Sequence, residues 1–377
     1  MNIVFLLRSV VLSGGIERVM TEKANWLAHK GHQVLFLTYE QGTHYMSFPL
    51  DSCVNHEDLD CRYFTVYKNN VLIRPISKLL MKKKFKSRLK SKICSFRPNV
   101  MIVPQNIEEY FSIVTSMNVF VPIVLECHST NLEYLKSVNI FENYYRKYFI
   151  LPCVMRCSLV ITLTDGDASF WRQVCEHVIS VPNPLSYYPE TINSVVRKTG
   201  KIICVARLHV IKRIDRLIEA FSLISNKYPE WSIDVYGDGE ERERLLNLII
   251  ENNLYGKVHI NAPINNIFEK YMESEFVVLS SDSESFSLVL VEAMSCGVPV
   301  VSVACPYGPS EIIEDGLTGL LTRMDVKDLA DKMEWMIVHE NERRIMGEQA
   351  RIDAKKYKKD TVMKQWESAY KSVLGCR

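Results

Sequence analysis

Short apolar runs alternate with helical patterns along almost the whole chain, and this alternation limits the fold more than any other feature. Ile3–Leu7, Gln33–Thr38, Val100–Val103, Ile123–Glu126 and Leu159–Leu163 read as buried strands, with helices between most of them, as at Ile16–His29 and Phe141–Cys157. Strands apolar on both faces belong in a parallel sheet covered by helices on either side. The pattern breaks at Val181-Pro182-Asn183-Pro184 and Tyr187-Tyr188-Pro189, because proline removes ladder donors and turns its predecessor away from helix. It then restarts with strands at Lys201–Ala206, Ser232–Tyr236, Val258–Ile260, Phe276–Leu279 and Val300–Val303, and helices at Arg213–Lys227, Glu240–Asn252 and Phe286–Cys296. The expected fold class is α/β, with two doubly wound Rossmann-like domains over residues 1–184 and 200–359 joined by a linker at 185–199. A chain of 377 residues exceeds what one core usually supports, about 250–300 residues. Ligands in open α/β sheets sit at strand C-termini, so a cleft between the domains is the expected site. In the last helix Met363, Trp366, Tyr370 and Val373 form one apolar stripe. Residues 360–377 are expected to dock on the N-terminal domain.

Charge and composition remove several function classes. The 46 Lys+Arg against 44 Asp+Glu leave a net charge of +2, too balanced for a nucleic-acid binder. Met1–Leu7 has no basic leader and Arg8 cuts its apolar run short, so no signal peptide is expected. No apolar run reaches the ~18 residues of a membrane span. The eleven cysteines contain no Cys-x-x-Cys pair and read as buried thiols of a reducing compartment. The expected location is cytoplasmic, or peripheral at the inner face of the cytoplasmic membrane.

The charge is unevenly distributed. Residues 1–190 hold 21 basic and 16 acidic side chains, and residues 191–377 hold 25 and 28. Between Arg62 and Ile107 stand twelve Lys/Arg and no Asp or Glu. Within it, Lys78–Arg97 predicts a helix with Met81, Phe85, Leu89, Ile93 and Phe96 on one face and Lys83, Lys86, Lys90 and Arg97 roughly opposite. Such a helix suits an anionic membrane surface or an acceptor phosphate. A helix that merely covers the sheet with its apolar face accounts for the pattern equally well.

Several groups carry the chemistry. Gly14-Gly15 follow the first strand and open the first helix, where backbone N–H groups can meet a phosphate; a tight turn explains them as well. Arg207 and Lys212 follow the strand that opens the second domain, and an Arg fork beside a Lys point charge makes a diphosphate site. The strongest signal is Glu284-Ser285-Phe286-Ser287-Leu288 leading to Glu292. Eight residues of helix rise ~12 Å, too far for the paired carboxylates of a glycosidase. The pair is suited to gripping two ends of an extended ligand, with phosphates over the Phe286–Leu288 amides. Asp165-Gly166-Asp167 is expected to cap a helix rather than bind a metal.

Glu284-x7-Glu292-Ala293-Met294, Gly297-x-Pro299-Val300-Val301, Gly308-Pro309-Ser310-Glu311 and Asp315-Gly316-x-x-Gly319-Leu320 together resemble glycosyltransferase family 4. Gly14-Gly15, Arg207, Lys212 and Gly237-Asp238-Gly239 agree with it, so the resemblance covers nearly the whole chain. It implies the two-domain GT-B fold and retaining transfer of a hexose or N-acetylhexosamine from a UDP-sugar, in the branch that builds bacterial capsule, lipopolysaccharide or exopolysaccharide. The acceptor implied is a glycan, lipid-linked, received by the N-terminal domain. The resemblance assigns the diphosphate to Arg207 and Lys212 with help from the Gly15 amide, sugar hydroxyls to Glu284 and the ribose to Glu292. It also assigns the donor sugar's neighbourhood to His128 and the base to Ile264. It requires no metal and no cofactor. Two positions depart from the family pattern: Arg213 stands where Gly usually follows the lysine, and Ser287 where Gly usually follows Phe. The alternatives are a UDP-sugar epimerase or phosphorylase on the same fold, and a non-catalytic nucleotide-sugar-binding subunit.

Overall fold

The structure, a computed structural model, describes residues 1–11, 14–68, 70–105, 107–117, 121–130, 144–192, 200–264 and 266–375. They form two compact units, Met1–Pro182 with Val362–Arg377, and Asn183–Thr361.

In the first unit seven parallel strands lie in the order β3-β2-β1-β4-β5-β6-β7. They are β1 (Asn2–Leu7), β2 (Gln33–Thr38), β3 (Asn55–Asp58), β4 (Val100–Pro104), β5 (Ile123–Glu126), β6 (Leu159–Thr162) and β7 (Val178–Ser180). β1 is flanked by β2 and β4 in register, with Ile3 opposite both Val34 and Val100. The order reverses there, so the loops after β1 and β4 flank the switch point. The helices Gly15–His29 and Arg74–Phe96 bury Val19, Met20, Ala24 and Leu27, and Phe85, Leu89 and Ile93, respectively.

The second unit has six parallel strands in the order β10-β9-β8-β11-β12-β13: β8 (Lys201–Val205), β9 (Ser232–Tyr236), β10 (Val258–Asn261), β11 (Phe276–Leu279), β12 (Val300–Val303) and β13 (Gly319–Thr322). Its switch point lies between β8 and β11. Gly297 follows the helix Leu288–Ser295 at φ +69°, and a Cβ on Gly347 would come 2.3 Å from the Gly297 carbonyl oxygen. That close approach packs the helix Glu340–Ala354 onto the strand-loop motif.

Four expectations need correction. The predicted linker begins too early: Leu185 is buried, its N–H donates to the Tyr357 carbonyl at 2.9 Å, and the Tyr188 hydroxyl donates to the Arg351 carbonyl at 3.1 Å. Residues 183–192 therefore pack as part of the second unit, and residues 193–199 lie outside the described residues. The helix expected over Phe141–Cys157 begins outside them too, and its described part is broken. Pro152 removes a backbone donor, and the turn Arg146–Ile150 widens so that the Leu151 N–H reaches the Arg146 carbonyl. Thr164, not Asp165, occupies the cap position of the helix Asp165–Trp171. Asp165 accepts from the Ser180 hydroxyl at 2.6 Å and is exposed, whereas Asp167 is buried; two residues apart on a helix, they point to different sides. Finally, the cysteines are free thiols among the described residues, but Cys53 and Cys94 are exposed rather than buried.

Candidate functional site

The residues that follow β8 and β11 converge at the switch point of the second sheet. Lys212 Nζ pairs with Glu284 Oε1 at 2.7 Å, and the Ser281 hydroxyl donates to the same oxygen at 2.7 Å. The Ser280 hydroxyl donates to the Lys212 carbonyl at 2.9 Å, and the Asp282 N–H to the Ile211 carbonyl at 2.9 Å. The two loops are thus stitched together by backbone as well as by charge. Arg216, buried on the helix Ile214–Ile224, donates to the Ser280 carbonyl at 2.8 Å and to Asp282 Oδ1 at 2.6 Å. Arg207 stands just past β8, exposed, and its guanidinium makes no hydrogen bond or ion pair with another described residue. Its turn is held by the Gly237-Asp238-Gly239 loop. The Leu208 N–H donates to the Asp238 carbonyl at 2.9 Å, and a Cβ on Gly237 would fall 1.9 Å from the Ala206 carbonyl oxygen. A glycine is needed there so that one backbone can lie on the other.

Arg213 explains one departure from the family pattern. Its backbone sits at φ +48°, ψ +46°, the left-handed region that glycine enters without strain. Its side chain compensates by pairing with Asp215 at 3.0 Å and Asp282 at 3.3 Å; the guanidinium is held above its usual range, first by the hydrogen bond it donates to Asp215. Arg213→Ala keeps the strain and loses the pairs, whereas Arg213→Gly loses the pairs and the strain together. The Gly variant should therefore be more stable than the Ala variant by about 1 kcal/mol. Urea midpoints of the two proteins measure this directly, and equal midpoints would show that the backbone there is unstrained. The other departure is benign: Ser287, the cap residue of the helix Leu288–Ser295, lies at φ −81° and needs no glycine.

The helix predicted from Phe286 begins at Leu288. Glu284 lies before it, bridged to Tyr307, which is held at φ +73°, ψ −93°. A tyrosine in that region is strained, and such strain gathers at functional sites. Gly308 follows, its N–H donating to the Glu284 carbonyl at 3.1 Å; a Cβ there would lie 2.9 Å from the Glu284 carbonyl oxygen. Glu292 is buried and accepts from the Tyr271 hydroxyl at 3.3 Å. Phe286 is buried edge-on to Tyr357 at 5.5 Å between ring centroids. Ile264, half exposed, follows β10.

In the first unit Gly14 caps the helix Gly15–His29 in an extended conformation. No described atom lies within 4 Å of where a Gly15 Cβ would be, so the fold itself does not demand that glycine. His128 follows β5 and is buried, its Nε2 2.9 Å from Glu126 Oε2. Burial holds the His128 ring below the usual 6.5 against the opposing pull of Glu126, so it is neutral at pH 7. No group of three or more His, Cys, Asp or Glu among the described residues could hold a metal ion.

The basic helix spans Arg74–Phe96, with Arg97 as its left-handed cap. Phe85, Leu89 and Ile93 are buried, and Met81 and Phe96 pack against the same core. Lys83, Lys86, Lys90 and Arg97 are exposed. The acid-free stretch is not unpaired, however: Lys84 and Arg88 meet Asp60 at 3.0 Å and 3.2 Å, and Lys92 pairs with Glu57. These acids stand just ahead of the stretch in sequence.

Residues 191–353 match the family model described as glycosyl transferases group 1. That segment is similar to the group 1 glycosyl transferases. Over nearly its whole length the chain is 25% identical, across 371 residues, to an uncharacterized glycosyltransferase of Haemophilus influenzae, covering 96% of this chain and 98% of the relative. It is 24% identical over 375 residues to the amylovoran biosynthesis glycosyltransferase AmsD of Erwinia amylovora, covering 97% and 98%. The crystal structure of Anabaena HepE in complex with UDP superposes with a TM-score of 0.76 at 19% identity, covering 99% of this chain and 100% of that one. The fold is GT-B, each unit a doubly wound Rossmann-like domain.

Proposed function

We propose that this chain is a retaining glycosyltransferase that moves a hexose or N-acetylhexosamine from a UDP-sugar to a glycan acceptor, lipid-linked, in the assembly of a bacterial surface polysaccharide. The observation that carries the reading is the Lys212–Glu284 pair at the switch point of the second sheet, with Arg207, whose guanidinium has no partner among the described residues, just past β8. Relatives named as glycosyltransferases over nearly their full length and a fold neighbour solved with UDP support it.

In this reading the acceptor hydroxyl attacks the anomeric carbon on the face from which UDP departs, and its proton passes to the leaving phosphate. Arg207 and Lys212 neutralise the charge that grows on the diphosphate, with the Gly15 amide and the amides at Leu288 contributing dipoles. Glu284 holds sugar hydroxyls, Glu292 the ribose, Ile264 the base, and His128 lies by the donor sugar. The diphosphate charge is met by side chains and amides, so turnover needs no metal. UDP-glucose or UDP-N-acetylglucosamine, supplied at 100 times its dissociation constant with EDTA present, should stabilise the protein by about 2.7 kcal/mol. Thermal melts read this, and UDP release reads the turnover. A protein whose melting no UDP-sugar moves, or whose turnover needs Mn²⁺ or Mg²⁺, would overturn the corresponding part of the proposal.

The helix Arg74–Phe96 supports a membrane-facing acceptor. Leu72, Ile73, Ile76, Leu79 and Leu80 are all more than half exposed, next to Lys83 and Lys86. Apolar side chains next to lysines that have no ion-pair partner among the described residues suit an anionic bilayer. Replacing Lys83, Lys86 and Lys90 by Gln should weaken binding to anionic vesicles by about 10²-fold at ~1 kcal/mol each, with UDP-sugar hydrolysis spared. Unchanged vesicle binding at low salt would leave this helix as a sheet cover only. No helix among the described residues is long and apolar enough to cross a membrane.

A further inference from the structure

Behind His128 lies a buried charge cluster to which neither the sequence motifs nor the diphosphate chemistry gives a role. Glu126, the last residue of β5, is fully buried. Its Oε2 accepts from Lys23 Nζ at 2.8 Å and faces His128 Nε2 at 2.9 Å, while its Oε1 accepts from the Tyr370 hydroxyl at 2.5 Å. Lys23 is also fully buried, on the inner face of the helix Gly15–His29. Tyr370 belongs to the helix Lys359–Ser372, whose Trp366 ring centroid lies 2.9 Å from the Lys23 ammonium. The same helix is fastened to the first unit by Trp366 Nε1, which donates to the Pro182 carbonyl at 2.8 Å, and by Glu367, 3.0 Å from His32.

Such a cluster is a poor way to stabilise a sheet. A buried ion pair is rarely better than two apolar side chains of the same volume, and a position at the end of a parallel strand readily takes Val or Ile. What the cluster does provide is orientation. An ionised carboxylate can only accept hydrogen bonds, so the neutral His128 ring facing it carries its proton on Nε2. That leaves the lone pair on Nδ1 and fixes the plane of the ring. Glu126 in turn is fixed from two directions, by Lys23 on one oxygen and by Tyr370 on the other.

We propose that Lys23, Glu126 and Tyr370 are positioning residues that hold His128 in a single tautomer and orientation, which makes the helix Lys359–Ser372 a working part of the histidine's site. This rests on the reading of His128 as a neighbour of the donor sugar. Groups that orient another functional residue typically cost 10–100-fold when removed. Tyr370→Phe deletes one hydroxyl and keeps the ring that fills the core, so the chain should still fold, its melting temperature lowered only by the loss of one hydrogen bond to a carboxylate that Lys23 still pairs. Its kcat, measured as UDP release from whichever of UDP-glucose and UDP-N-acetylglucosamine stabilises the protein, should fall about tenfold with KM unchanged. In a His128→Ala background the same substitution should have no further effect, because the group it positions is gone. A wild-type kcat in Tyr370→Phe, or an equal loss in both backgrounds, overturns the relay while leaving His128 in place. A wild-type kcat in His128→Ala alone overturns the reading of the histidine instead.

Discussion

Arg207→Ala and Lys212→Ala should each lower kcat by about 10²-fold or more, the scale on which one preorganised electrostatic donor acts in a transition state. The two should then part company in stability. Arg207 is exposed and makes no side-chain pair among the described residues, so its removal should leave the melting temperature unchanged. Lys212 pairs with Glu284, which is only 9% exposed. Its removal strands a buried carboxylate, and Lys212→Ala should melt earlier. Lys212→Met would keep the stem and lose the charge, and should behave like the Ala variant in rate. Wild-type turnover in the Arg207 variant would remove the diphosphate role, whatever the melting curves show.

The largest effect on stability is expected at Glu126. Burial would raise its carboxyl, but the Lys23 ammonium and the His128 hydrogen bond overcome that and hold it at about 2 against a usual 4.5. Lys23, pushed down by burial to about 8, still carries its proton at pH 7. Breaking a buried pair leaves the other charge uncompensated and costs about 3–5 kcal/mol, a large share of the ~5–15 kcal/mol that holds a domain together. Glu126→Ala should show that loss in urea unfolding. The pH dependence has a definite sign: a carboxyl lowered on folding stabilises the native state above its unfolded value and stops doing so as protons bind. The Glu126 contribution should be complete above pH 4.5 and should fade between pH 4.5 and 2, with the slope set by the difference in bound protons. In Glu126→Ala this part of the acid transition should be missing. A variant that loses less than about 1 kcal/mol would mean that the pair is not desolvated.

The two sheets were legible in the sequence because parallel strands bury both faces, and runs such as Ile3–Leu7 and Phe276–Leu279 leave little else to read. The strands that escaped notice are those without that signature. β3 reads Asn-His-Glu-Asp and sits at the sheet edge, held by backbone pairing to β2; β7, of three residues, is the opposite edge; and β13, Gly-Leu-Leu-Thr, is an edge of the second sheet with only two large apolar residues. In the site of the second unit, Arg207, Lys212 and Glu284 stood out through their motifs. Ser280, Ser281, Asp282 and Arg216, which bind the two loops together, did not. Arg216 lies on the buried face of an amphipathic helix, and a lone base there is the one hint the residues offered. The cluster around Glu126 was beyond reach for a different reason. Its members stand far apart in the chain, Tyr370 lying 244 residues from Glu126, and only the fold brings them together. A single acid closing an apolar strand, and a single base on the inner face of Gly15–His29, were each visible. Nothing local pairs them.

The unit that contains β1 to β7 is discontinuous, since Val362–Arg377 rejoins it after Asn183–Thr361. A ribosome makes the chain from its N-terminus, so every strand of the first sheet leaves the tunnel before the helix that shields Lys23 and engages Glu126 exists. The second unit, by contrast, is one unbroken stretch and has all its strands and helices in hand by Thr361. The order of synthesis and the order of completion therefore run opposite ways: the half of the molecule made first is finished last.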